Sequence, residues 1–241
     1  MPFLVISVFF TSAFSGTFGM GGGLILMGIL PIFYSIPQAM IAHGIIQLCS
    51  NGYRAYLLRS FISTRYIGIF LLGSLISAVF IWLLNPVPSK AQVYILLGII
   101  PLLSMKVNST SIFKKHQLAE GVVMGFISTS CNILGGASGP IIDTSLYQSS
   151  LKRREIVATK SLFSSLIHIM KIVYYAKFTT FDQFEISEIS EILMVLVAVI
   201  TGTKLGSYIL NRIKEDQFRL IGVNLVRLMA LIFVARGVFY W

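Results

Sequence analysis

Long apolar runs dominate the sequence, at about 2–18, 24–34, 39–58, 66–84, 90–105, 118–133, 139–149, 155–176, 189–210 and 219–239. A chain built this way has too few solvated groups to cover a globule in water. Only 12% of its residues are charged, against roughly 25% in soluble domains, and its mean hydropathy is +0.84. Lipid must be its solvent. The formal charge is nonetheless +10. That excess forms no long basic tract and no polar module is left over to hold nucleic acid, so a nucleic-acid partner is excluded. Arg54 is the first Lys or Arg, so the start lacks the basic region of a secretory signal and reads as a retained membrane segment. Cys49 and Cys131 both lie in apolar runs and read as small core-filling residues.

A helix crosses the hydrocarbon in about 20 residues, so the runs at 24–34 and 139–149 are too short to span comfortably and read as half-helices. Each follows a glycine cluster, Gly19-Met20-Gly21-Gly22-Gly23 in one half and Gly135-Gly136-Ala137-Ser138-Gly139-Pro140 in the other, where a chain can turn sharply. If each cluster is the tip of a hairpin, four connections share one face. They carry Arg54, Arg59 and Arg65; Lys106, Lys114 and Lys115; Lys152, Arg153 and Arg154; and Arg212, Lys214 and Arg219. The other face keeps Lys90, Lys177 and Arg236 with acidic Asp182, Glu185, Glu188 and Glu191. Straight broken helices would divide the basic clusters between both sides. The positive-inside rule therefore favours hairpins, with both termini outside a cell (inner) membrane.

Five segments per half is an odd number, so the second half enters from the opposite side. The expected architecture is an all-α polytopic membrane protein of two inverted repeats, 1–116 and 117–241, each opening with a Gly-tipped helical hairpin, either re-entrant or fully spanning. Sequence echoes support it. The glycine clusters recur about 114 residues apart, Ala42-His43-Gly44 falls where Ala158-Thr159-Lys160 falls, and Gly73–Ser77 parallels Gly202–Gly206. Inverted repeats whose discontinuous helices meet at the midplane are a recurring design of secondary transporters.

The stretch Ser15-Gly16-Thr17-Phe18-Gly19-Met20-Gly21-Gly22-Gly23-Leu24-Ile25-Leu26, followed by Ala42-His43, resembles the first repeat of the sulfite exporter TauE/SafE family. There a G-x-x-G-x-G-G-G stretch precedes an apolar run and an Ala-Thr pair. Gly125 to Pro140, followed by Ala158-Thr159, is similar to the second repeat. Two features depart from the pattern: His43 stands where Thr is usual, and a longer polar approach, Ser128-Thr129-Ser130-Cys131-Asn132, precedes the second cluster. The resemblance implies small oxyanions or organosulfonates, such as sulfite or sulfoacetate, as cargo.

The candidate site follows from what an anion needs inside a membrane. A half-helix starting there points unsatisfied N–H groups and a positive dipole end into the cavity, and glycine lets an oxyanion approach that backbone. This selects Gly21, Gly22, Gly23, Gly135, Gly136 and Ser138, with Asn132 on the polar approach; the alternative is close helix packing, which is preferred for Gly202 and Gly206. Ionisable groups in the bilayer are costly and need a reason. Lys160, Ser164, His168 and Lys171 fall on one helical face, and His43, Gln47, Asn51 and Arg54 repeat the same spacings of four, four and three. Lys204 joins the intramembrane cations. In the alternative reading, Lys160 and Lys171 snorkel to the interfaces, while Gln47 and Asn51 bond helix to helix. His43 has the chemistry to couple a proton. Asp143, near a half-helix start, is a dipole partner or a counter-ion to Lys160 or Lys204.

The expected function is export of small oxyanions or organosulfonates by alternating access. An anion leaving a negative interior gains about 2.3 kcal/mol per charge per 100 mV. Rivals are an importer of a sulfur-containing anion, handled covalently by Cys49 or Cys131, a passive anion channel, and a non-transporting membrane scaffold. No phosphate-binding loop or H-E-x-x-H stands in the chain, so no enzyme, metal or cofactor is expected. The expected partners are the anion, a coupled proton, membrane lipid and a second copy in a homodimer.

Overall fold

A computed structural model of the chain describes residues 2–18, 21–106, 117–146, 151–179, 189–210, 212 and 215–241. Gly19, Met20, Lys114, Lys115, Lys214, Asp182, Glu185 and Glu188 lie outside the described residues. The rest folds into α1 (Pro2–Phe18), α2 (Gly22–Phe33), α3 (Ile36–Leu57), α4 (Ile67–Leu84), α5 (Lys90–Lys106), α6 (Gln117–Gly135), α7 (Gly139–Leu146), α8 (Arg153–Tyr175), α9 (Ile189–Leu210) and α10 (Glu215–Phe239). No strand occurs among the described residues. Each apolar run of the sequence has become one helix, because in lipid every backbone N–H and C=O must find its partner within the segment.

Local chemistry sets the boundaries. Ser35 opens α3 in a capping box with Gln38, whose Oε1 accepts from the Ser35 backbone N–H at 3.0 Å. At the start of α8 the Lys152 backbone N–H donates likewise to Glu155 Oε2 at 2.7 Å. Asn85, in the left-handed conformation at φ 54°, ends α4 just before Pro86.

Segments Thr64–Leu84, Leu118–Gly135 and Arg154–Tyr175 are long and apolar enough to cross a membrane, and four shorter helices are as apolar. Within Thr64–Leu84 the mean hydropathy reaches 2.5, yet only 28% of that window is buried. Leu75, Val79 and Leu83 point outward, the last 76% exposed. A surface of this kind requires lipid. The chain is an all-α polytopic membrane protein.

Four helix pairs carry the packing: α1 with α9, α4 with α6, α3 with α8 and α5 with α10. Exchanging each helix for the one five places along leaves these pairings unchanged. Small residues hold them close. Gly202 lies against Phe9 and Ala13, and Gly206 against Ala13, Gly16 and Thr17, so α1 and α9 run parallel. Gly121 meets Ile69, and Ser77 Oγ bonds Ser130 Oγ at 2.8 Å, so α4 and α6 run parallel too. Conversely, α3 and α8 are antiparallel, with His43 beside Lys171 and Gly52 facing Ser165. Gly98 against Ala230 and Gly237 against Ala91 make α5 and α10 antiparallel.

Direct contacts fix the two glycine turns. Phe3 at the start of α1 lies against Phe33 at the end of α2, their ring centroids 5.2 Å apart, and Gly22 meets Thr11 and Ser15. Beyond the second turn, Ile142 and Leu146 of α7 share a core cluster with Met124 of α6. Each turn folds its short helix back on the preceding one.

The sequence counted Arg54 with the α3–α4 connection. It belongs instead to the last turn of α3 and is buried.

Where backbone meets backbone, no side chain can yield. Gly206→Leu places its side chain on the Ala13 carbonyl and the Gly16 Cα, and should cost about 3 kcal/mol, read as a lowered Tm in detergent. Gly68→Ala, with nothing within 4 Å, should leave the Tm unchanged or slightly raised.

Candidate functional site

Both glycine turns reach one pocket. Its volume is about 50 Å³, room for a few waters or one small oxyanion. Gly21 and Gly23 line it from the first turn, and Gly136, Ala137, Ser138, Gly139 and Pro140 from the second. At roughly 1.5 Å per residue, α2 is about 18 Å long and α7 about 12 Å, so neither crosses the hydrocarbon alone. Two reversed turns meet in this one pocket.

Gly21 (φ 84°) and Gly136 (φ 79°) sit in the left-handed region that side-chain-bearing residues avoid. Each aims the chain back at the pocket. In α2 the first helical hydrogen bond runs from Ile25 N–H to Gly21 O at 2.9 Å, so the N–H groups of Gly22, Gly23 and Leu24 precede the ladder. In α7 Ser138 O already accepts from Ile141 and Ile142, and Pro140 has no N–H to give. The second turn is thus poorer in backbone donors, and there Lys160 Nζ stands 3.9 Å from where a Cβ of Gly139 would lie.

The polar stripes of α3 and α8 face each other. His43, Gln47 and Asn51 line the pocket from α3, and Lys160, Ser164 and His168 from α8. Because the helices are antiparallel, the first stripe position of one meets the last of the other. Lys171 Nζ is 2.6 Å from His43 Nδ1. Arg54 lies within electrostatic reach of Lys160 and Asp143. Asn51 Nδ2 donates to Gln47 O and Oε1, at 2.9 and 3.2 Å.

Lys160 pairs with Asp143 at 2.5 Å, which decides between the two counter-ions open to that carboxylate. Asp143 is the one buried carboxylate among the described residues. Against it stand buried Arg54, Lys160 and Lys171, a formal surplus of two positive charges with the histidines neutral. Several buried polar atoms have no protein partner: Arg54 Nη2, Asn132 Oδ1, His168 Nδ1, Ser128 Oγ and Thr129 Oγ1. Two belong to pocket-lining residues. Natural interiors rarely leave such groups unmatched.

Eleven of the residues singled out in the sequence therefore converge: Gly21, Gly23, His43, Gln47, Asn51, Asn132, Gly136, Ser138, Lys160, Ser164 and His168. Three do not line the pocket. Gly22 is taken up by contact with Thr11 and Ser15 where α1 and α2 cross, and Gly135 by Leu96 and Ile100 of α5. Lys204 is exposed on α9, whose small-residue face is already turned to α1. Lys171 does not snorkel; it is 0% exposed. Cys49 and Cys131 are free, half-buried and outside the lining. Ser15 and Leu24 are lining residues that the sequence reading missed. Ser15 belongs to the glycine motif, and Leu24 is apolar with no mark to distinguish it.

A bundle that turns two broken helices and two polar stripes toward one internal pocket defines a class of polytopic membrane protein with a small polar site at its centre. Residues 4–233 match the family described as Sulfite exporter TauE/SafE, and the chain belongs to that family. No curated protein and no solved structure matches it.

The left-handed glycines give a direct test. Gly136→Ala forces an L side chain to φ 79° against Met27, and should destabilise the protein by about 1–2 kcal/mol. Gly139→Ala, at an ordinary φ with Lys160 Nζ 3.9 Å away, should leave the Tm near wild type.

Proposed function

We propose that this chain is a secondary transporter that exports small oxyanions or organosulfonates, sulfite and sulfoacetate-like anions among them, by alternating access. The carrying observation is one pocket of about 50 Å³ that brings together both glycine turns, both polar stripes and the Lys160 ammonium. Backbone N–H groups at the start of α2, the neutral amide of Gln47, and Lys160 supply the donors that a trigonal or tetrahedral oxyanion needs. Membership in the sulfite exporter TauE/SafE family supports the same cargo. Alternating access draws support from the pairing of helices that survives exchange of residues 1–116 with residues 117–241, since two similar gates around one site suit that mechanism.

The orientation proposed is a multi-pass protein of the cell (inner) membrane with both termini outside. In a Cys49→Ser, Cys131→Ser background, a membrane-impermeant thiol reagent added outside should label Val87→Cys, in the exposed α4–α5 connection, and spare Lys152→Cys before α8. The reverse pattern sinks the orientation.

Transport has its own assay. Proteoliposomes should move labelled sulfite or sulfoacetate faster than empty vesicles, and equal rates would refute the reading. Lys160→Met should weaken transport about 10- to 100-fold, as expected for losing a charge-assisted hydrogen bond worth roughly 1.5–3 kcal/mol. The double variant Lys160→Met with Asp143→Asn leaves no stranded carboxylate and should remain as deficient.

A further inference from the structure

At the other end of the α8 stripe from the Lys160–Asp143 pair lies a second buried basic cluster, whose Lys171 does not itself line the pocket. Lys171 is 0% exposed and donates to His43 Nδ1 at 2.6 Å; His43 Nε2 lies 2.9 Å from Gly23 O. A carbonyl oxygen only accepts, so Nε2 carries a hydrogen, and a neutral His43 must then accept at Nδ1. Both ring nitrogens are committed. The His168 ring stands edge-on to His43 at 5.4 Å between centroids, and its Nδ1 has no protein partner.

Among the described side chains no carboxylate faces this cluster. α2 and α4 bring no titratable side chain to it. α9 has Glu191 in its first turn and brings Lys204 and Tyr208, both exposed, and α6 brings half-buried Cys131 with Glu120 in its first turn. On α3 itself are half-buried Cys49 and Tyr53, exposed Tyr56, and Arg54 at the opposite end; on α8, Tyr174 and Tyr175 donate to the carbonyls of Pro86 and Ile133. Asp143 on α7 is committed to Lys160. An ammonium with three hydrogens, one acceptor and no counter-charge is poorly held in a membrane interior. His43 and His168, however, line the anion pocket, where a bound oxyanion would supply the missing negative charge.

We infer that Lys171 and His43, with His168 beside them, form a proton-binding site whose occupancy is linked to the anion, so that one proton binds and travels with each oxyanion. The inference rests on the anion-transport reading above. The proton can move between Lys171 Nζ and His43 Nδ1, one N–H bond breaking as the other forms, while Nε2–H keeps its bond to Gly23 O. His43 thereby ties the charge of the cluster to the first turn of α2. By linkage, the anion strengthens proton binding and the proton strengthens anion binding by the same factor. A dianion leaving with one proton still carries one negative charge outward, so the membrane potential continues to favour export.

The test is calorimetric titration of sulfoacetate into the detergent-purified full chain at pH 6 and pH 8, repeated in two buffers of different ionisation enthalpy. At pH 8 the wild type should take up close to one proton per sulfoacetate bound. Its affinity should fall up to tenfold per pH unit as pH rises, the limit for one linked proton. Lys171→Gln should bind with the same affinity at both pH values and take up no proton. Sulfoacetate binding without proton uptake in the wild type, or an unchanged pH slope in a folded Lys171→Gln protein, overturns the proton site and leaves the anion site standing. The wild-type result decides the matter if that variant fails to fold. No sulfoacetate binding at either pH overturns the functional reading itself, and the inference with it.

Discussion

The crossing of α3 and α8 is the contact on which the rest of the structure depends. Each helix carries a face of charged and polar side chains that lipid cannot solvate, and each buries that face against the other. The antiparallel approach brings Lys171 to His43, and Ser165 toward Gly52. The glycine turns close the remaining sides, because a broken helix is tolerated at membrane depth only where protein or a polar cavity covers its free backbone groups. α4 then shields the crossing with a face of leucine, isoleucine and valine turned to lipid.

Charge is distributed unequally around this crossing. Lys160 has a carboxylate and Lys171 has an imidazole. The two lysines stand at opposite ends of the same face of one helix, yet their surroundings suit different tasks. The cation held by Asp143 is matched charge for charge beside the pocket. The cation held only by a ring has no carboxylate matched to it among the described side chains. The second half of the chain supplies both lysines, while the first half supplies Arg54 and His43 at the matching stripe positions.

Much of this was legible in the sequence because membrane burial makes polar residues conspicuous. The matching spacings of His43, Gln47, Asn51 and Arg54 with Lys160, Ser164, His168 and Lys171 announced two inward faces, and the glycine clusters announced the turns between them. The ten helices followed the apolar runs for the same reason. What the sequence did not disclose was the meeting of particular atoms. Lys204 is as unusual in an apolar run as Lys160, but the helical phase that puts Gly202 and Gly206 against α1 turns Lys204 outward. Gly22 and Gly23 are chemically identical and adjacent, yet one packs on α1 and the other lines the pocket. Lys171 has a stem long enough to reach an interface, and only the position of His43 shows that it remains inside.

The glycine seams carry a mechanical consequence. α1 belongs to the first half of the chain and is fastened along α9 in the second, while α6 of the second half is fastened along α4 of the first. At Gly206 and Gly125 backbone presses on backbone, leaving no compliant side chain between the helices to act as a bearing. The halves are clasped, each gripping a helix of the other, and cannot rock apart as two rigid shells. In the alternating access proposed above, the moving bodies must divide the molecule along lines that cut across the two halves, carrying α1 with α9 and α4 with α6.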